Sequence, residues 1–448
     1  MNILLTTHQF FPEYAAGTEV LTYLVARELI SRGHDVRVLT AFPGDSALRD
    51  DERADEYEYE GIRVYRFHHA YTAMGGQVSM IEVGYDNRLA ADYFTKILQL
   101  FNPAVVHFFH LNRLGTRLIE RAVDHGVPSF MTPTDFWAIC PTGQLMFSDG
   151  RLCSGPSKSA GNCVVHFAQD RVRASALRVA VRYVPSLVAD VLVQLTKKHV
   201  LPVYPMRAEV NALGSRLQIN VERLNQLNAI VAPNRFMREK LLQYGVDAAR
   251  IVESAFGIEV QPGATARRPA RLGQPLRIGF IGTLAPHKGC HVLIAAFKLL
   301  PLNQAVLKIY GKREDFPEYF KLLEQLAAHH PGIEFCGVFP NSKIGEIMSS
   351  VDVLVVPSLW HENSPLTVYS AQASHCPVIA SDLQGIAEII EHEVNGLLFE
   401  AGNVAALAKQ LSRLTQSAEL LTILSSNSRQ PKSISSYVDD LLSIWATA

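Results

Sequence analysis

The stretch "DVLVVPSLWHENSPLTVYSAQASHCPVIAS", residues 352–381, sets a β-branched apolar run over 352–357 ahead of a small-residue helical segment opening near Pro365. A second apolar run follows over 377–381. Strand, crossover helix and strand in that order make one βαβ unit of a parallel sheet. Between the first run and the helix stands a lone carboxylate, Glu362, followed by Asn363, Ser364 and Pro365. An open α/β sheet binds ligands outside the carboxyl ends of its strands, so the chain delivers this charge to a binding edge.

The same alternation recurs along the chain and puts the protein in the α/β class. Strands are expected over 3–7, 35–41, 62–67, 104–109, 129–132 and 229–232, then over 276–281, 305–310, 333–336, 352–357 and 377–381. Residues 19–31 read as the first crossover helix, closed by Gly33. At 448 residues the chain exceeds the roughly 250–300 at which one core stops growing, so two domains are expected. The non-periodic segment 257–275, rich in Gly, Pro and Arg, reads as their linker. It separates a first domain over 1–256, carrying a helical insertion over 165–228, from a second over 276–425. Residues 426–448 read as a C-terminal helix crossing back to the first domain.

Hydrophobic residues at 48% and charged residues at 19% exclude disorder, and a net charge of −1 lacks the basic excess of a nucleic-acid binder. The start "MNILLTTHQFFPEY" has no basic leader, and apolar residues never run uncharged for the ~18 positions of a span, so a cytoplasmic protein is expected. Six scattered cysteines read as reduced thiols. Cys140, Cys153 and Cys163 with His166 supply the ligand types of a zinc site, but the cysteine spacings lack its tight pairs, and the expectation is no metal.

The acidic run "RDDERADEYEYEG", residues 49–61, reads as a solvated loop. Residues 165–215 set Arg171, Arg173, Arg178, Arg182, Lys197 and Lys198 among Leu, Val and Ala. That is either a basic amphipathic surface for the inner face of an anionic membrane, centred on 165–200, or a helical insertion with its charges in water.

Three groups of residues carry chemistry. In "PEYAAGTEV", residues 12–20, small residues around Gly17 precede a helix whose N-terminal amides favour an anion, as an ordinary strand-to-helix turn also would. In "GFIGTLAPHKG", residues 279–289, Lys288 stands at a strand's carboxyl end, where it neutralises a phosphate or is simply solvated. Glu362 reaches the same edge beside a helix N-terminus. Ammonium, carboxylate and helix end together suit a ligand with both phosphates and hydroxyls, such as a sugar nucleotide; a helix-capping acid is the competing reading of Glu362. His110 and Asp135 sit at carboxyl ends of first-domain strands, and His110 is equally readable as a structural histidine.

Over nearly its whole length the chain resembles the family 4 glycosyltransferases, retaining enzymes of the GT-B fold. The resemblance is carried by "GTEVLTYLVARELISRGHDVRVLT", "VVHFFHLNRLG", "DFWAICPTGQLMFSDGRLCSGP", "GFIGTLAPHKG" and, most specifically, "HENSPLTVYSAQASHCPVIASDLQGIAEIIEHEVNGLLFEAGN". It implies two Rossmann-like domains facing each other across a cleft, Gly17 with Thr18 at the donor phosphate loop, and Lys288 on the diphosphate. It further implies Glu362 on the hydroxyls of the transferred sugar, amides of Asn363, Ser364, Pro365 and Leu366 toward sugar and phosphate, and Glu388 as a recurrent acid. His110 and Asp135 would contact the acceptor or the reacting sugar.

Three positions depart from the family. Ser370 replaces the second acid of its Glu-x7-Glu motif, which clamps the ribose; Thr134 replaces a histidine before Asp135; and Thr283 replaces an arginine of the loop ahead of the lysine.

The resemblance implies a transferase that moves a sugar from a nucleotide-sugar donor to a glycan or lipid-linked acceptor in cell-surface polysaccharide synthesis. No cofactor is required beyond the donor, and no nucleic acid takes part. The three departures keep two alternatives open: a nucleotide-sugar-binding or regulatory protein of the same fold, and a GT-B sugar-nucleotide epimerase.

Overall fold

The computed structural model describes residues 1–70, 72–171, 183–259 and 274–447. They divide into two compact units, Met1–Ser254 with Val438–Ala448, and Ala255–Tyr437.

The first unit is built on eight strands: β1 Asn2–Thr7, β2 Asp35–Pro43, β3 Ala54–Tyr59, β4 Ile62–His69, β5 Val105–Phe108, β6 Ser129–Met131, β7 Ala229–Ala232 and β8 Ile251–Glu253. Their order is β3-β4-β2-β1-β5-β6-β7-β8, parallel throughout except for β3. Central strands read as unbroken apolar runs because helices cover both faces, and β5, β6 and β7 are buried at every position. Helix Gly17–Ser31 follows β1 and ends at Gly33, whose φ of 84° suits a residue without a Cβ and whose amide bonds Ile30 O at 2.9 Å.

The acidic run is not a loop. Residues Ala54–Tyr59 form the edge strand β3, antiparallel to β4, across a tight turn at Glu60 and Gly61, both at positive φ. Its charges are matched across the ladder: Arg66 makes two bonds to Asp55, at 2.8 and 2.6 Å, and Arg63 Nε donates to Glu56 at 2.7 Å. Acids and tyrosines alternate there with period two, a strand signal that the charge density obscured. The short strand β8 also escaped the sequence reading.

In the insertion, helices Gly161–Arg171, Ser186–Lys197 and Arg207–Leu224 pack on one another. Arg173, Arg178 and Arg182 lie outside the described residues, as do the side chain of Arg171 and most of the linker segment, 260–273. From Val438 onward the last helix, Ile434–Trp445, belongs to the first unit, where buried Trp445 donates its indole N–H to His107 Nδ1 at 3.1 Å.

The second unit has six parallel strands: β9 Leu276–Ile281, β10 Ala305–Tyr310, β11 Ile333–Gly337, β12 Val353–Val356, β13 Val378–Ser381 and β14 Gly396–Phe399. The order is β11-β10-β9-β12-β13-β14, so strand succession reverses between β9 and β12. In an open sheet of this kind ligands bind at the carboxyl ends of the two strands that flank the reversal. No helix among the described residues is long and apolar enough to cross a membrane.

Candidate functional site

In the second unit, the loops after β9 and β12 bring Lys288 and Glu362 together. Lys288 ends a short turn, Pro286–Lys288, and Gly289 then takes φ 71° to open helix Cys290–Phe297. A Cβ on Gly289 would lie 1.9 Å from Pro357 O, so the lysine loop closes on the end of β12 only because that residue is glycine. The Leu359 amide ties the two loops by donating to His287 O at 2.8 Å.

Lys288 Nζ then donates to Glu362 Oε1 at 2.7 Å. Ser358 Oγ at 2.6 Å and Trp360 Nε1 at 2.9 Å donate to the same oxygen. No hydrogen bond to Oε2 is made among the described residues. The Trp360 ring also faces Lys288 Nζ, 5.0 Å from its centroid, and meets the His287 ring edge-on.

Burial pushes the Glu362 carboxyl up, but the Lys288 charge and the three hydrogen bonds outweigh it and hold the group below its ordinary value. Burial, and then the Lys288 charge, push His287 down to about 4, so it is neutral near pH 7. The result is a fixed carboxylate with three hydrogen bonds on one oxygen, beside a half-buried ammonium.

Downstream, Asn363 and Ser364 are buried and Pro365, which makes no side-chain cap bond, is the N-cap of helix Leu366–Ala373. Ser370 stands on that helix with its hydroxyl turned back to Leu366 O at 3.0 Å. Thr283 is half-buried ahead of Lys288, and Glu388 is exposed beyond β13.

The first unit gathers a second cluster where its own strand order reverses, between β1 and β5. His110 Nδ1 accepts from the Asn112 amide at 3.0 Å, which assigns the proton to Nε2, and Nε2 stands 3.1 Å from Asp135 Oδ2. Asp135 is held in turn by the Trp137 amide at 2.7 Å. Thr18 donates to Thr134 at 2.8 Å, so Thr134 meets the first turn of helix Gly17–Ser31.

Sequence reasoning passed over His8 and Glu19 in this cluster. The His8 and His110 rings lie 4.1 Å apart, and His8 Nδ1 is 3.7 Å from Glu19, which is fully buried. Burial pushes the Glu19 carboxyl up to about 7, while burial and the nearby His110 and Arg113 push His8 well below its ordinary value. An acid in the first turn of an otherwise apolar helix face was the available signal. In the second unit, Ser358, Trp360 and Gly385 were missed although all three stand within or near the motif stretch.

Cys140, Cys153, Cys163 and His166 line one small cavity. His166 Nε2 accepts from the Ser148 amide at 2.9 Å, and no three His, Cys, Asp or Glu side chains among the described residues are placed to share a metal ion.

Two family models match the chain: "Glycosyl transferase 4-like domain" over residues 16–254 and "Glycosyl transferases group 1" over residues 265–431. The amylovoran biosynthesis glycosyltransferase AmsK of Erwinia amylovora is 24% identical over 418 residues, 91% of this chain and 90% of its own. The alpha-maltose-1-phosphate synthase of Mycolicibacterium smegmatis is 29% identical over 258 residues, 52% of this chain and 65% of its own. Among solved structures, HepE of Anabaena in complex with UDP and glucose has a TM-score of 0.64 at 16% identity, covering 100% of this chain and 99% of its own. The sucrose-phosphate synthase of Thermosynechococcus elongatus has a TM-score of 0.63 at 18% identity, covering 100% of this chain and 96% of its own. The two parallel-sheet units are those of the GT-B fold.

Proposed function

We propose, from the premise that this chain belongs to the glycosyltransferases described by these two models, that it moves a sugar with retention from a nucleoside diphosphate donor to a glycan or lipid-linked hydroxyl. The product would enter cell-surface polysaccharide. AmsK, with its amylovoran biosynthesis, supports that role at the level of a relative.

In this reading the second unit binds the donor. Lys288 and the N-terminus of helix Leu366–Ala373 neutralise the departing diphosphate, and Glu362 Oε2 accepts from a hydroxyl of the sugar. Asn363, Ser364, Pro365 and Leu366 line the approach to sugar and phosphate, with Thr283, Ser370 and Glu388 at its margin. In the first unit, Gly17 and Thr18 are assigned to phosphate and His110 with Asp135 to the acceptor hydroxyl. The bond from the anomeric carbon to phosphate oxygen breaks, the acceptor oxygen bonds that carbon on the same face, and the acceptor proton passes to the departing phosphate. Positive charge is supplied by the lysine and the helix end, so the reading invokes no metal. Work at the inner face of a membrane, on an acceptor carried by lipid, completes it.

The observation that carries the reading is the split carboxylate of Glu362: among the described residues three donors converge on Oε1 and none on Oε2. A carboxylate held so beside a cation is built to take hydroxyl donors next to phosphate. The test is thermal-shift screening with UDP-, GDP-, ADP- and dTDP-sugars, followed by product analysis with membrane lipid extracts as acceptor. The expected result is one donor class that raises the melting temperature and gives acceptor-dependent transfer with a retained anomer. Donor binding without transfer, or conversion of the donor with no acceptor present, would overturn it.

A further inference from the structure

Helix Ser186–Lys197 is apolar on two faces. Ala189 and Val193 are buried where the helix packs against Gly161–Arg171 and Arg207–Leu224. Turned outward, Leu187, Val188, Val191 and Leu192 are exposed, Leu187 to 80%. Their spacing puts them on one stripe of the helix. The chain that leaves the helix adds exposed Val200 and Val203, the latter at 87%. Eight of the exposed large hydrophobic residues among the described residues fall between Tyr183 and Met206, whereas a surface facing only water scatters them singly.

Charge indicates what covers this stripe. Over the described residues 183–208 the sequence has one acid, Asp190, against Lys197, Lys198 and Arg207. That acid faces inward: Asp190 Oδ1 accepts from Ser157 Oγ at 2.7 Å, the Ser159 amide at 3.0 Å and the Gly161 amide at 2.8 Å. The outward surface over 183–206 therefore presents no carboxylate, and Lys198 is exposed at the end of the stripe. A second copy of the chain would set like charges against each other. Anionic lipid offers the opposite charge above an apolar layer of matching character.

We infer that the stripe of Leu187, Val188, Val191 and Leu192, together with Val200 and Val203, docks on an anionic lipid surface. Its aliphatic side chains enter the boundary between headgroups and acyl chains, and Lys198 lies at headgroup level. Because the helix is already fixed by its buried face, the stripe is presented preformed and needs no folding on contact. The inference deepens the reading of a lipid-linked acceptor and rests on it only for what docking serves.

The test sediments the full chain with vesicles of phosphatidylcholine alone and of phosphatidylcholine with phosphatidylglycerol in equal parts, at low and raised salt. Binding to the anionic vesicles that weakens with salt is expected. Leu187→Glu with Val191→Glu should lower the partition coefficient by at least about tenfold, and the milder pair Leu187→Ser with Val191→Ser should lower it by less. Lys198→Glu should weaken binding to the anionic vesicles alone. Melting temperatures within a few degrees of the parent would certify that these exposed substitutions leave the fold in place.

No vesicle binding by the parent, or binding that the serine pair and the glutamate pair both leave unchanged, would overturn the inference. So would a concentration-dependent dimer that the glutamate pair dissolves, since the stripe would then be an interface between copies. None of these outcomes depends on nucleotide binding, so a failure here stays distinct from a failure of the transferase reading.

Discussion

Gly385 lies against the main chain of Glu362: a Cβ built on it would stand 1.8 Å from the Glu362 carbonyl oxygen, and its φ is 91°. The loop after β13 thus fixes the backbone of the very residue whose side chain meets Lys288. Gly385→Ala should force that segment to move, and both the close contact and the backbone conformation oppose a side chain there. Donor affinity should fall at least about tenfold while far-ultraviolet circular dichroism stays unchanged. Titration calorimetry of the variant checks this; unaltered affinity would mean that the Glu362 backbone does not position the donor.

Removing one partner of a buried ion pair costs more than the pair itself contributes. Glu362 is 5% exposed, so Lys288→Met should destabilise the second unit by about 3–5 kcal/mol, because a carboxylate is left buried without its cation. Glu362→Gln should cost less, since Lys288 is the more exposed partner at 24%. The folded-state pKa of Glu362 lies below its ordinary value of 4.5, so its contribution is present above that pH and is lost as pH falls through the depressed value. Urea unfolding across this range should show the gap between the two variants closing in acid.

Glu19 works in the opposite direction. Its pKa rises from 4.5 unfolded to about 7 folded, so the folded state holds the proton more tightly and stability falls as pH rises between those values. The whole effect amounts to about 3 kcal/mol. Glu19→Gln should remove this slope, making the variant the more stable protein at alkaline pH and close to the parent in acid. His8 and His110 face the same carboxylate, and His8, with its lowered pKa, favours the unfolded state in acid. The difference between parent and variant cancels that common term. A pH-independent difference would contradict the assignment.

Ser370 offers a test by restoration. Its hydroxyl donates to Leu366 O of its own helix. Ser370→Glu would return the second acid of the motif, and a charge-assisted bond to ribose is worth about 1.5–3 kcal/mol. Nucleotide affinity should therefore rise roughly ten- to a hundredfold by calorimetry. No gain would mean that the ribose lies elsewhere.

The central parallel strands were legible because they are mostly buried and read as largely apolar runs bounded by turns: β7, β9 and β10 fall where the pattern puts them. β3 was not, because an edge strand with charged partners looks like a solvated segment until the arginines of β4 are seen opposite it. Strand β14 was missed as well; Gly396–Phe399 opens on the pair Asn395-Gly396, which reads as a turn. Lys288 and Glu362 were legible from their position after strands, but Trp360 and Ser358 were not. Their donation to Glu362 depends on how one loop folds, which spacing alone does not encode. Glu19 and His8 were hidden for a related reason, since burial raises an acid's pKa and burial is a property of the fold.

The central claim is that the carboxylate and ammonium joined at 2.7 Å act on one donor. It is tested most directly by the rate of sugar transfer, with the donor identified by thermal shift, for the parent, Glu362→Gln and Lys288→Ala, each checked for a cooperative melt. Both variants should melt cooperatively and lose transfer by about a thousandfold or more, in line with the loss of a charge-stabilising group. Transfer within a few fold of the parent in either folded variant would contradict it.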